Sequence, residues 1–264
     1  TSDRQLLQQM VESMGDTRGM VRFGFAERLG DIGEPAIPFL LDALANHVNP
    51  VVRRASAKTL TLIADPVAIP TLVHSFLNDE DTVVQGSAVG ALARTGKASV
   101  PALLEILASP EQSETVKGHA AWALSFIGTA AKEYLYKAID SESSEVRAAV
   151  MGAISKVAQE ESDQKAYNIL INALNDPAEN VRCEAAALLG NLAYRSAIPT
   201  LVQLLQYQEG ATRKAAALAL MKIGDRSAIE PLQAALNKEA EETVQKAISL
   251  AISLIERKPE EDDW

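Results

Sequence analysis

The chain has 264 residues, 47% of them hydrophobic and 5% aromatic, and its 25 Lys plus Arg against 35 Asp plus Glu leave a net charge of −10. An acidic chain without a basic tail argues against nucleic acid or an anionic membrane surface as partner. One cysteine, Cys183, excludes an intramolecular disulfide, and no apolar run reaches the roughly 18 residues of a membrane span or forms a charged-then-apolar leader, so a soluble, cytoplasmic protein is expected.

One segment recurs from end to end. Val21-Arg22 returns as Val52-Arg53, Val84-Gln85, Val116-Lys117, Val146-Arg147, Val181-Arg182, Thr212-Arg213 and Val244-Gln245, in steps of 31, 32, 32, 30, 35, 31 and 32 residues. A period of this size marks a repeat architecture, in which each unit buries its apolar face only against its neighbours. The spacing predicts helix pairs at about 3–30, 34–64, 66–96, 97–128, 130–158, 162–193, 195–224 and 226–256. The fold class is therefore all-α, a right-handed α-α superhelix of about eight pairs forming a single solenoid over 1–256. Residues 257–264 read as an acidic disordered tail.

Within each unit the Val-Arg position opens the inner helix. Apolar residues at offsets 0, 4, 8 and 11 from the valine hold one stripe of a 3.6-residue helix. Offset 8 carries Leu29, Leu60, Leu92, Leu124, Ile154, Leu189, Leu220 and Ile252, and offset 11 carries Ile32, Ile63, Thr95, Ile127, Val157, Leu192, Ile223 and Ile255. Small residues between them, such as Ala185, Ala186, Ala216 and Ala217, predict close approach of a neighbouring helix. Gly33, Gly96, Gly128 and Gly224 follow at offset 12, where a left-handed cap favours glycine. The next outer helix opens on Ala36-Ile37-Pro38, Ala68-Ile69-Pro70, Ser99-Val100-Pro101 or Ala197-Ile198-Pro199, with proline in the first turn, where its missing N–H has no partner to lose. The fifth and sixth units lack that signature and carry Tyr134, Tyr136 and Tyr167. There Gln159-Glu160-Glu161-Ser162-Asp163 is expected to form a longer link and change the curvature.

Val181-Arg182, Ala185-Ala186, Leu188-Leu189-Gly190, Ile223-Gly224-Asp225 and Ala228-Ile229 make the chain resemble HEAT-like repeats, particularly the short variety of the cyanobacterial phycobilin lyase family. The resemblance covers about 3–256. It implies a chain that attaches, removes or chaperones open-chain tetrapyrroles (bilins) on phycobiliproteins, often as one half of a pair of related subunits. Repeats of this kind also occur in scaffolds and in proteins that dismantle phycobilisomes. No short catalytic motif comes with the resemblance.

The repeated cation at offset 1 (Arg22, Arg53, Lys117, Arg147, Arg182, Arg213) predicts a structural ladder, each side chain bonding an acid or carbonyl of a neighbouring turn. Residues that break the repeat are better functional candidates. Offsets 2, 3, 6 and 10 should line the concave face. There the fourth unit stands out: Trp122 shares a face with His119 and Phe126, while Gly86, Gly90, Gly118 and Gly152 occupy equivalent or neighbouring positions. Each helix-interior glycine costs about 1 kcal/mol relative to alanine, and room beside a large flat group would offset that. An aromatic-floored, glycine-walled hollow rimmed by Arg54, Lys58, Arg94 and Lys156 is the candidate ligand- or partner-binding site. It would take a bilin as ligand or substrate, or a hot spot of a protein partner such as a phycobiliprotein or a related HEAT-like subunit. The alternative is that Trp122 and Phe126 only fill space against the next unit.

Cys183 has no visible acid–base partner, the three histidines offer no metal spacing, and no phosphate loop, nucleophile elbow or paired carboxylates appear. No metal and no resident cofactor are expected, and an enzyme acting alone is the least favoured reading, a bilin lyase being left open with or without a partner subunit. The expected function is a phycobilisome-related bilin lyase subunit or chaperone, with a non-enzymatic interaction scaffold as the alternative.

Overall fold

A computed structural model describes residues 2–259; positions 260–264, most of the expected acidic tail, lie outside the described residues. The chain divides into two compact units, Thr1–Ala131 and Lys132–Trp264. The first contains α1 (Ser2–Ser13), α2 (Gly19–Ile32), α3 (Ile37–Asn46), α4 (Pro50–Ile63), α5 (Ile69–Asn78), α6 (Thr82–Thr95), α7 (Val100–Ala108) and α8 (Glu114–Ile127). The second contains α9 (Lys132–Ala138), α10 (Ser144–Glu161), α11 (Gln164–Ala173), α12 (Glu179–Asn191), α13 (Ile198–Leu204), α14 (Gly210–Ile223), α15 (Ile229–Lys238) and α16 (Glu242–Arg257). Among the described residues there is no strand, and the sixteen α-helices make eight pairs. In the first unit α2, α4, α6 and α8 pack side by side in chain order; in the second α10, α12, α14 and α16 do the same.

The stripe explains the packing. Leu29, Leu60, Leu92, Leu124, Ile154, Leu189 and Leu220 are at most 1% exposed, and each such burial stabilises by roughly 1.5–3 kcal/mol. Offset 11 is less regular than expected: Ile127, Val157, Ile223 and Ile255 are buried, but Ile32 is 38% exposed. Alanine sets the helix spacing in the second unit, where Ala185, Ala186, Ala216 and Ala217 are fully buried between α12 and α14. Gly190 belongs to the same contact: a Cβ added there would sit 2.9 Å from the Ala219 Cα.

All four offset-12 glycines have positive φ, but only Gly224 adopts the left-handed helical well (φ 72°, ψ 21°). Gly33, Gly96 and Gly128 combine positive φ with ψ near −130°, a region closed to side-chain-bearing residues. The prolines stand in first turns as expected, and each of these helices is entered through a 3₁₀ turn, such as Glu34–Ala36, Pro66–Ala68 or Arg195–Ala197. The turn ends on an alanine (Ala36, Ala68, Ala197) that is at most 1% exposed.

The expected longer link at 159–163 is not a loop. Gln159, Glu160 and Glu161 extend α10 to 18 residues, against 14 in α4, α6 and α8, and only Ser162 and Asp163 connect it to α11. Ser162 takes the left-handed conformation that ends the helix (φ 50°). Lys132 of α9 ties the added turn down, pairing with Glu161 at 2.9 Å and Asp163 at 3.2 Å.

The cation ladder forms as expected. Arg53 donates to both Asp79 carboxylate oxygens (3.0 and 3.2 Å) and to the His47 carbonyl (2.9 Å). The Asp79 carbonyl in turn accepts from the Gln85 side chain. Arg213 repeats the arrangement on Glu239, whose carbonyl accepts from Gln245. Each loop acid thus joins two successive units, with its carboxylate serving one and its carbonyl the other.

Candidate functional site

On α8, Trp122 and Phe126 stand one turn apart with ring centroids 5.6 Å from each other, 52% and 43% exposed. Around them the helices are bare. A Cβ added to Gly86 or Gly90 on α6, or to Gly118 on α8, would meet nothing within 4 Å. These glycines are not spacers of the Gly190 kind, and nothing inside the chain requires them. Arg94, one turn beyond Gly90, is exposed. Gly152 and Lys156 lie on α10 in the second unit, where a Cβ at Gly152 is likewise unopposed. His119 is exposed, its ring 6.3 Å from that of Phe76.

The two α4 cations differ. Arg54 is held by Asp81 through two contacts of 3.1 and 2.6 Å. Asp81 also caps α6, accepting from the Val83 and Val84 N–H groups, so the Arg54 guanidinium first and then those backbone bonds pull its carboxyl down to about 2. Lys58 is exposed and has no ion pair among the described residues.

Lys58 and Arg54 border a hollow of about 440 Å³ between α2 and α4, walled by Phe23, Leu62 and Val83 and bordered also by Glu27. Phe23, Leu62 and Val83 are 62%, 61% and 47% exposed. Phe23 and Glu27 stand at offsets 2 and 6 of their unit and Leu62 at offset 10 of the next, among the offsets expected to line the concave face, whereas Val83, which precedes the repeat's valine, lies outside them. Leu250 and Leu254 on α16, exposed at 48% and 39%, went unmarked in the sequence. They occupy the same repeat offsets as Trp122 and Phe126, and that register was the available signal.

Cys183 is half-buried, its Sγ 3.7 Å from the Ala211 carbonyl. Burial first, then the nearby Glu179, push its thiol pKa up, the opposite of what a nucleophile needs. Among the described residues no cluster of His, Cys, Asp and Glu could hold a metal ion, and no helix is long and apolar enough to cross a membrane.

HEAT repeats match residues 37–125, 100–169 and 167–253. The chain is 39% identical over 251 residues to the bilin biosynthesis protein MpeU of Synechococcus sp. (strain WH8020), covering 95% of this chain and 84% of that protein. A solved structure of the complex of CpcE and CpcF of phycocyanin lyase from Nostoc sp. PCC7120 is similar at 27% identity and a TM-score of 0.50, over 58% of this chain and 98% of the matched one. Importin beta shares the fold alone, with a TM-score of 0.58 at 14% identity over 94% of this chain and 41% of that one. The chain belongs to the HEAT-like repeat proteins of the phycobilin lyase family.

Proposed function

We propose that this protein is a phycobilisome bilin lyase-type subunit, which binds a phycobiliprotein and an open-chain tetrapyrrole on the face formed by α2, α4, α6 and α8 of its first unit. The likeness to a bilin biosynthesis protein and to a phycocyanin lyase complex supports the class. The observation that carries the site is the Trp122–Phe126 pair, solvent-exposed beside helix backbones stripped to glycine. Exposed Trp among residues that leave room for a partner is the composition of a protein-binding hot spot. Glycine at Gly86, Gly90 and Gly118 lets a partner's surface reach the backbone. The apolar character of this surface also suits a scaffold that binds protein without pigment, the second reading.

The test uses Trp122 fluorescence in a Trp264→Phe background, with apo-phycobiliprotein and phycocyanobilin titrated separately. Saturable binding of both ligands, with apo-phycobiliprotein affinity lost in Trp122→Ala (followed there by calorimetry), is the expected result. Binding of protein but not pigment moves the assignment to the scaffold. Binding of neither overturns the proposal.

A further inference from the structure

The hollow between α2 and α4 has a composition that the Trp122–Phe126 surface lacks. Phe23, Leu62 and Val83 give it apolar walls, and all three are largely exposed although they lie on packed helices. At its edge stand Arg22, Arg54 and Lys58 against Glu27 and the Asp81 that holds Arg54, an excess of one positive charge on a chain of net charge −10. The two α4 cations are not equivalent. Asp81 already occupies the Arg54 guanidinium, whereas the Lys58 ammonium has no ion pair among the described residues. A volume of about 440 Å³ lies within the range of small-molecule sites, roughly 300–1,000 Å³. Apolar walls with one unengaged cation at the rim select a flat, largely apolar molecule that carries a carboxylate.

We infer that this hollow, and not the Trp122 surface, seats the open-chain tetrapyrrole, with a propionate on Lys58 and a pyrrole ring against Phe23 and Leu62. The inference rests on the reading above that the protein binds such a pigment, and it names where. Two inner-helix spacings separate α4 from α8, roughly 16–20 Å at 8–10 Å per packed pair. Pigment and protein partner therefore take different parts of one face, with the aromatic pair of α8 left to the protein.

The experiment measures phycocyanobilin binding by its absorbance change with the full chain and the variants Lys58→Glu, Phe23→Ala and Trp122→Ala. All three positions are solvent-exposed, so circular dichroism should show unchanged folding. Lys58→Glu and Phe23→Ala are each expected to raise Kd about tenfold, a loss of about 1.4 kcal/mol. Phycocyanobilin dimethyl ester should bind the wild type about tenfold more weakly than the free acid, and no more weakly to Lys58→Glu than to the wild type. Trp122→Ala should bind pigment normally while losing apo-phycobiliprotein. Wild-type affinity for the free acid in both hollow variants would overturn the inference and leave the functional reading intact. A wild type that binds apo-phycobiliprotein but no pigment overturns it as well. That second outcome also moves the functional reading to the scaffold, and a wild type that binds neither ligand removes both readings.

Discussion

Asp176 faces two arginines in two different ways. Its carboxylate accepts from the Arg147 guanidinium through two bonds of 3.0 Å, and its backbone carbonyl accepts from Arg182 at 2.9 Å. Its Oδ1 also accepts the Ala178 N–H, bracing the turn that launches α12. One residue thereby fixes the loop before α12 to the units on both sides of it. Arg147 and Asp176 are both largely buried, so each holds the other against the desolvation it has suffered.

Arg147→Ala should therefore destabilise the second unit by about 1.5–3 kcal/mol, the range for a lost charge-assisted bond, read as a lower urea midpoint. Adding Asp176→Asn should cost less than the two single changes summed, because both act on one interaction. Arg182 is more demanding. It is 1% exposed, and its guanidinium meets Glu209 at 2.6 Å, Thr212 at 3.2 Å and the Tyr207 ring at 4.3 Å. Arg182→Ala should cost at least about 1.5–3 kcal/mol, the range for a lost charge-assisted bond, and a midpoint equal to wild type would refute the ladder as a source of stability.

The glycines separate into two kinds that a single substitution distinguishes. Gly90→Ala and Gly118→Ala, with open space at Cβ, should each stabilise the chain by about 0.5–1 kcal/mol through helix propensity. Gly190→Ala drives a methyl into the Ala219 Cα and should destabilise by about 1–3 kcal/mol. Thermal melts read both signs. If Gly118→Ala stabilises the chain yet weakens apo-phycobiliprotein binding, the glycine is kept for the partner.

Acid should loosen the Arg54–Asp81 and Arg213–Glu239 ion pairs in a defined window. Arg54 first holds Asp81 at about 2, below its ordinary 3.8, and Arg213 first lowers the Glu239 carboxyl. A carboxyl with a depressed folded-state pKa contributes its stability above the unfolded pKa and loses it as pH falls through the folded value. Melting temperature should hold steady from about pH 7 to 5 and decline from about pH 4 towards 2. Glu239→Gln should start lower and decline less over that interval; an unchanged slope would detach Glu239 from the effect.

The Cys183 thiol should react slowly. With its pKa raised by burial and by Glu179, little thiolate exists at neutral pH. Labelling by a disulfide reagent at pH 7.5 is expected to be much slower in the folded protein than in urea. Equal rates would show that the site opens freely.

What the sequence shows depends on what the repeat controls. Helix existence, the buried stripe and the ladder follow from a 3.6-residue period and from a cation at the same offset in six of the eight units, and both survive in the structure down to Arg53 and Arg213. The added turn of α10 escaped detection because Gln159-Glu160-Glu161 is as polar as a loop, while helix propensity and Lys132 favour helix. Trp122 and Phe126 were legible as exceptions to the pattern. The hollow at Phe23, Leu62 and Val83 was not, because its walls come from three helices whose ordinary apolar residues become a surface only once packed.

The four residues by which α10 exceeds its counterparts amount to little more than one full revolution of 3.6 residues. An insertion of that size leaves the angular phase of everything after it nearly unchanged. The valine of α12 therefore still points where the repeat requires, which explains why a 35-residue interval fits among 31s and 32s. Lengthening the same helix by two residues would rotate α11 and α12 by roughly half a revolution and turn their buried stripes to solvent. Growth of α10 is thus confined to nearly whole turns of the helix.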